Sequence, residues 1–196
     1  MSRKIFFSFH YERDAWRAGN VRNSNMIPNE DEYGYIDSAE WEKIKQSGDE
    51  TIKRWIAEQL NYTSVTVVLI GAETADRPWV QHEIIESWNR GNAVLGIYIH
   101  NIKDDESKTD MMGVNPLTLL KLNDGTLLSE YCATYDWVTN DGRTNMGYWA
   151  ELAYSDRSKV PSDLKLEEVT IEPKVSERRI IVAPMIINNP PSQWCS

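Results

Sequence analysis

Two uninterrupted apolar runs constrain the fold of this chain more than any other feature of its sequence. Residues 65–70 and 93–99 carry apolar side chains at nearly every position, without the polar alternation of a half-exposed strand. Such a run is typical of a strand that helices cover on both faces, as in parallel sheets. Residues 4–9 form a third run, which is aromatic or aliphatic at every position except Lys4 and Ser8. We therefore expect these three segments to be the central strands of one parallel sheet.

The segments between these runs have the pattern of amphipathic helices. Apolar side chains recur at helical spacing in residues 52–60 and again in residues 75–88. Residues 131–137 are predicted as a further strand, and residues 145–154 as a closing helix. Strands that alternate with helices in this order predict a doubly wound α/β fold with a mostly parallel central sheet.

The composition limits the partners and the compartment that are expected. The chain has 196 residues, 41% of them hydrophobic, which is typical of a soluble globular protein. Its net charge of −9 argues against nucleic acid or an anionic membrane as the main partner. The N-terminal apolar run is too short for a signal segment or a membrane span. Cys132 and Cys195 lack a CxxC spacing and are expected to be free thiols in a reducing cytoplasm.

The C-terminal part of the chain differs in character from the rest. We predict a domain over residues 1–155 and an extension over residues 156–196. Residues 178–187 are strongly apolar but are interrupted by Pro184, which excludes a central strand and favours an edge strand or a surface segment. The extension either completes the core of the domain or binds a partner, and both alternatives stay open.

One carboxylate stands out in the helix predicted over residues 75–88. Trp79 and Glu83 lie one helical turn apart, on a face beside the apolar arc of that helix. Packing alone does not call for a carboxylate next to an indole at the edge of a buried face. A salt-bridged surface glutamate is nevertheless the commoner explanation of such a residue. As a partly exposed group, Glu83 is expected to contribute little to stability, within roughly ±0.5 kcal/mol.

Polar and aromatic residues follow each of the three central strands. They fall in residues 9–13, 71–77 and 100–103. In an open parallel α/β sheet, ligands bind beyond the carboxyl ends of the strands, so these segments are expected to form one rim. Aromatic, basic and acidic side chains at one rim favour a site for a nucleotide with its sugar.

Several standard sites are not predicted. The chain has no GxGxxG or GxxxxGK[ST] motif for phosphates and no Gly-x-Ser-x-Gly motif for a serine nucleophile. The segment from His82 to Glu86 is similar to the zinc motif HExxH, but Glu86 replaces the second histidine. No metal site is therefore predicted.

Several motifs, in order, resemble those of a known family. Residues 5–14 resemble the first box of TIR domains, a strand that ends in serine and an aromatic residue, with an aspartate a few positions later. Residues 77–84 resemble the TIR helix motif in which a tryptophan precedes the catalytic glutamate by one turn. Residues 16–24, 67–71 and 95–100 are similar to bacterial TIR-like domains of the Thoeris anti-phage defence family. The resemblance covers roughly residues 1–155.

The resemblance implies a flavodoxin-like three-layer fold and an NAD-cleaving enzyme. TIR enzymes of this kind break the nicotinamide–ribose bond, and Thoeris proteins close the product into a cyclic ADP-ribose isomer. That nucleotide is a second messenger for a separate NAD-depleting effector, ThsA, after phage infection. The implied partners are NAD as the substrate, the effector reached through the diffusible nucleotide, and a phage-derived trigger. No cofactor is implied, and a homo-oligomer stays open.

The resemblance also assigns roles to individual residues. Glu83 corresponds to the catalytic carboxylate and Trp79 to its aromatic neighbour, while Phe9 and His10 line the mouth of the site. We expect Phe9, Trp79 and Glu83 to border one pocket. TIR enzymes often carry basic residues after the first strand's aromatic residue, whereas His10 stands at that position here. Arg77, or alternatively Arg13, is therefore expected to bind the substrate through its pyrophosphate.

Other functions remain as alternatives. A non-catalytic TIR module would use the same loops to bind partners, and a nucleoside ribosyltransferase on a similar fold would also use a glutamate on a helix. A pure adaptor has no need of Trp79 and Glu83 together, which favours the enzyme.

Overall fold

The computed structural model describes residues 3–24 and 48–167 of the chain. Residues 178–187 and Cys195, for which predictions were made above, lie outside the described residues. The strands are β1 (Ile5–Ser8), β2 (Val65–Ile70), β3 (Ala93–Tyr98) and β4 (Thr134–Asp136), and the helices are α1 (Tyr11–Arg22), α2 (Asp49–Leu60), α3 (Pro78–Arg90) and α4 (Gly142–Arg157).

The four strands form one parallel sheet in the order β1-β2-β3-β4. Ile5 pairs with Val65, Val65 pairs with Ala93, and Gly96 pairs with Thr134, each in parallel register. The predicted α/β fold with a central parallel sheet is therefore confirmed. β2 spans the predicted residues 65–70, whereas β1 and β3 are one or two residues shorter than their predicted runs and β4 covers only three residues.

Helices cover both faces of the sheet, which explains the continuous apolar runs. Side chains of a strand alternate between its two faces. Val67 and Leu69 of β2 pack with α1 and α4 in one cluster, whereas Val68 and Ile70 pack with α3 in a second cluster. Complete burial of a side chain of this size contributes about 1.5–3 kcal/mol to stability. Polar residues at either set of positions would lose that contribution.

Local signals fix the ends of α3, the helix that carries Glu83. Pro78 occupies the first turn, where its missing N–H costs no hydrogen bond. Gly91 follows the last turn with a φ of 97°, a left-handed conformation that a residue without Cβ adopts readily. The predicted helix over residues 75–88 is in fact a short 3-10 turn, Thr74–Asp76, followed by α3.

The segment that follows β3 is irregular but is attached to α1. Arg17 donates from Nε to the Ile102 carbonyl oxygen over 2.9 Å, and its Nη2 lies 3.4 Å from Asp104 Oδ2. Arg17 is itself buried. These contacts hold the segment beside the carboxyl edge of the sheet.

The first residues after position 155 pack on the domain. Helix α4 continues to Arg157, and Leu166 is buried in the same cluster as α3. Asn89 of α3 also hydrogen-bonds the Leu166 backbone in both directions. The division at residue 155 stays a prediction. Within the described residues, no helix is both long enough and apolar enough to cross a membrane.

Candidate functional site

Glu83 is buried at the carboxyl edge of the sheet, against the end of β1. It is 8% exposed, and Ser8 Oγ donates a hydrogen bond of 2.5 Å to its Oε2 atom. Ser8 is the last residue of β1 and is fully buried. No cation pairs with the Glu83 carboxyl group among the described residues. Glu83 is therefore not the salt-bridged surface glutamate that was the commoner explanation of its position.

This environment changes the ionisation of Glu83. Burial raises the pKa of Glu83 to about 8, and the hydrogen bond from Ser8 offsets part of that increase. A pKa raised in this way favours the protonated form of Glu83 at neutral pH. A carboxyl group with a strongly raised pKa at the ligand-binding edge of a sheet is a candidate for catalysis.

The backbone of the same helical turn is held from the neighbouring strand. Ser87 Oγ donates to the Glu83 carbonyl oxygen over 2.6 Å, and Thr66 Oγ1 of β2 donates to Ser87 Oγ over 2.8 Å. All three residues are buried. Glu83 is therefore fixed through its side chain to β1 and through its main chain to β2.

Trp79 lies one turn before Glu83 and packs on the same side of the sheet. Its indole contacts the cluster of Phe6 with Ile52, Ile56 and Leu60 of α2. The edge of one ring meets the face of the other between Trp79 and His82, with centroids 5.9 Å apart. Trp79 is only partly buried, so part of the indole is available to a ligand.

Phe9 does not join this group. It packs against the cluster that contains α1 and α4, and its ring centroid lies 6.0 Å from that of Tyr11. Alternation of side chains along an extended chain places Phe9 on the opposite face from Ser8. The structure thus brings Ser8 to Glu83, while Phe9 and Trp79 pack against different clusters. A pocket shared by Phe9, Trp79 and Glu83 stays a prediction.

His10 follows Ser8 by two residues and is buried. It is 7% exposed, and neither ring nitrogen has a hydrogen-bond partner among the described residues. Burial, and next to it the positive charge of Arg77, lowers the pKa of His10. The imidazole is therefore neutral at neutral pH and has a donor and an acceptor to offer a ligand.

The two arginines near the rim are already paired with carboxylates. Arg77 Nη2 lies 2.8 Å from Glu73 Oε2, and Arg13 Nη1 lies 2.9 Å from Glu73 Oε1. Arg13 also binds both carboxylate oxygens of Asp110, at 3.2 and 3.0 Å. Although burial acts to raise it, the hydrogen bonds from Arg13 hold the pKa of Asp110 below its ordinary value. A phosphate group would have to compete with these carboxylates for either arginine.

Asp14 is a second buried carboxylate, which the sequence analysis treated only as part of a motif. It lies against Gly71 at the end of β2, where an added Cβ would be 2.2 Å from Asp14 Oδ2. Burial raises the pKa of Asp14 to about 6, and the charge of Arg17 counteracts part of this effect. Gly71 is thus required at this point by a close approach between α1 and the strand end.

Ser8 is the residue of the site that sequence reasoning missed. The sequence predicts no role for Ser8 beyond its place as the serine of the first TIR box. A signal was present, because Ser8 is a polar residue within a short apolar strand, at the end where ligands bind. Within the described residues, no group of three His, Cys, Asp or Glu side chains is placed to hold a metal ion.

The sequence was also compared with known families. The model of the family described as "Thoeris protein ThsB, TIR-like domain" matches residues 6–104, about half of the chain. The chain belongs to this family. The matched region of this ThsB-family chain includes Ser8, His10, Arg77, Trp79 and Glu83.

A curated relative supports the same family. The chain is 40% identical over 122 residues to the Bacillus cereus (strain MSX-D12) protein named "Putative cyclic ADP-D-ribose synthase ThsB1". The aligned region is 61% of this chain and 64% of the relative. The ThsB-family chain therefore spans less than two thirds of the length of the relative it matches.

Proposed function

We propose that this ThsB-family chain cleaves NAD at the nicotinamide–ribose bond and closes the product into a cyclic ADP-ribose isomer. The observation that carries the proposal is the buried Glu83 carboxyl group, held by Ser8 at the carboxyl edge of the sheet. The name of the Bacillus cereus relative supports the same reaction. Glu83 is the proposed catalytic residue.

The proposed chemistry explains the need for a carboxylate in this position. The bond between the ribose C1′ atom and the nicotinamide nitrogen breaks, and its electron pair leaves with neutral nicotinamide. Positive charge then develops on the ribose, as in glycoside hydrolysis. An ionised Glu83 stabilises that charge, and the interaction is stronger in a buried site than in water. The nicotinamide ring of NAD is itself cationic, so its binding favours loss of the Glu83 proton.

The second step decides the product. If water reaches C1′, the product is ADP-ribose; if water is excluded, a nucleophile on the adenosine half attacks C1′ and the ring closes. Trp79 provides an apolar wall near Glu83 and helps to exclude water. On this proposal NAD is the substrate, and the reaction requires no further cofactor.

The remaining substrate contacts are assigned to the rim of the site. His10 offers two buried ring nitrogens that make no hydrogen bond within the described residues, and Arg77 offers a guanidinium group for the pyrophosphate. Arg77 then exchanges its Glu73 partner for a phosphate oxygen. Phe9 is assigned to the mouth, on the other side of the strand end.

The cellular role follows from the product. A cyclic nucleotide made in the cytoplasm diffuses to a separate effector of the ThsA type, so the two proteins need no direct contact. A phage-derived trigger starts synthesis.

Mass spectrometry of nucleotides made from NAD tests this proposal. Lysates of phage-infected cells that carry the wild type, Glu83→Gln or Glu86→Gln are compared at equal protein abundance. Glu86 lies on the same helix and pairs with Arg90 at the surface, so Glu86→Gln is the matched control. We expect Glu83→Gln to lose product formation by a factor on the order of 10²–10³, and Glu86→Gln to retain it. An abundant Glu83→Gln variant that still makes the product contradicts the assignment of Glu83.

An interaction module is the second candidate function. Three exposed apolar side chains, Met111, Met112 and Val114, are close in sequence on the segment after β3 and would suit a protein partner. If neither the wild type nor Glu83→Gln makes a nucleotide and both protect cells from phage, this candidate replaces the enzyme. Transfer of ribose to another base would instead identify a nucleoside ribosyltransferase.

A further inference from the structure

We propose that Ser8 is a positioning residue, which holds the carboxyl group of Glu83 in the orientation that the reaction requires. This inference rests on the proposed function and deepens it.

The contact joins two elements that are distant in sequence. Ser8 Oγ at the end of β1 donates to Glu83 Oε2 on α3 over 2.5 Å, and both residues are buried. The hydrogen bond engages one carboxylate oxygen, so Oε1 is the oxygen left for the ribose. Ser8 thus determines which oxygen faces the substrate and at what angle.

The main chain of Glu83 is fixed independently of Ser8. Ser87 binds the Glu83 carbonyl oxygen and is itself bound by Thr66 of β2. With the backbone held in this way, the remaining freedom of Glu83 lies in its side-chain torsions. The hydrogen bond from Ser8 restricts those torsions.

Stability alone does not account for this pair. An apolar pair of similar shape in place of a buried polar pair is often neutral or stabilising, because it avoids the desolvation of both groups. Burial also acts against the charged form of Glu83, and Ser8 is the group that favours it. A serine at this position therefore benefits the ionised carboxylate more than it benefits the fold.

The first experiment measures product formation from NAD as a function of pH in lysates of infected cells. The variants are Ser8→Ala, which removes the hydroxyl, and Ser8→Thr, which keeps it. Ser24→Ala is the matched control, since Ser24 is also buried and donates its hydroxyl to the Val21 carbonyl oxygen over 2.7 Å.

We expect Ser8→Ala to lower the rate at neutral pH by about ten- to a hundredfold, the effect of losing a hydrogen bond to a charged group. The acid limb of its pH profile should move to higher pH, because the hydrogen bond that favours ionised Glu83 is gone. Ser8→Thr should restore the wild-type profile, and Ser24→Ala should leave it unchanged. A folded Ser8→Ala variant with the wild-type rate and profile overturns the inference.

The second experiment does not depend on activity. Urea unfolding over a range of pH gives the window in which stability falls, because folded Glu83 keeps a proton that the unfolded chain has released; the fall ends when Glu83 ionises in the folded state. In Ser8→Ala this window should extend to higher pH than in the wild type or Ser24→Ala. If the wild type makes no nucleotide in the first experiment, the proposed function fails. If the pH range over which stability falls is the same in Ser8→Ala as in the wild type, the role of Ser8 is overturned separately. If Ser8→Ala does not fold, the test is Ser8→Thr: a folded Ser8→Thr variant whose pH profile of product formation is displaced from that of the wild type also overturns the role of Ser8.

Discussion

Replacement of Glu83 by glutamine should stabilise the protein, and the gain should grow with pH. Glutamine keeps the shape of the protonated carboxyl group and can accept the hydrogen bond from Ser8, but it never ionises. The sequence suggested a partly exposed carboxylate with little effect on stability. Burial to 8% exposure changes that expectation.

The magnitude follows from the pKa of Glu83 in the two states. Burial raises that pKa from 4.5 in the reference state to about 8 in the folded protein. Below both values the group is protonated in both states, and wild type and variant should differ little. Between them the folded state keeps a proton that the unfolded state has released, so wild-type stability falls by about 1.4 kcal/mol per pH unit. Above the folded pKa the loss levels off at no more than roughly 5 kcal/mol, which is about 1.4 kcal/mol for each unit of the increase in pKa.

Urea unfolding at a series of pH values measures this effect. The difference in unfolding free energy between Glu83→Gln and the wild type should rise through the window from about pH 4.5 to about pH 8. Asp14 and His10 titrate in both proteins, so their contributions cancel in this difference in unfolding free energy. Glu86→Gln, on the same helix and at the surface, should show no such rise. Parallel stability curves for Glu83→Gln and the wild type would refute the burial of Glu83 described here.

Two further predictions concern activity and packing. Product formation by the wild type should increase with pH up to about pH 8, because the raised pKa of Glu83 leaves less of its ionised form at lower pH. An activity maximum well below pH 7 in a buffered lysate assay would contradict this prediction. Gly71→Ala should lower the unfolding free energy by about 1–3 kcal/mol, because the new Cβ would overlap the Asp14 carboxyl group. Gly19→Ala is the control within α1, with no atom near the added Cβ, and should instead be stabilising by about 0.5–1 kcal/mol. If urea unfolding gives the same change in unfolding free energy for Gly71→Ala and Gly19→Ala, the overlap at Gly71 is relieved at no cost.

The sequence by itself determined the layout of strands and helices. Runs such as residues 65–70 are apolar on both faces, and this local pattern already requires cover on each side of the sheet. Pro78 and Gly91 mark the ends of α3 through their own backbone preferences, which do not depend on distant residues. The sequence also predicts that Trp79 and Glu83 share one face of the helix, since residues four apart lie on the same face of any helix.

Only the tertiary structure decided what surrounds Glu83. The contact with Ser8 joins positions 75 residues apart, and no local periodicity encodes such a distance. Burial sets the pKa of Glu83, and burial depends on how α3 packs against β1 and its neighbours. The same holds for Phe9, which is expected beside Trp79 because the end of β1 and a face of α3 meet at the carboxyl edge of the sheet. Its face was fixed by strand alternation within the assembled sheet, where one step along the chain moves a side chain from one layer to the other.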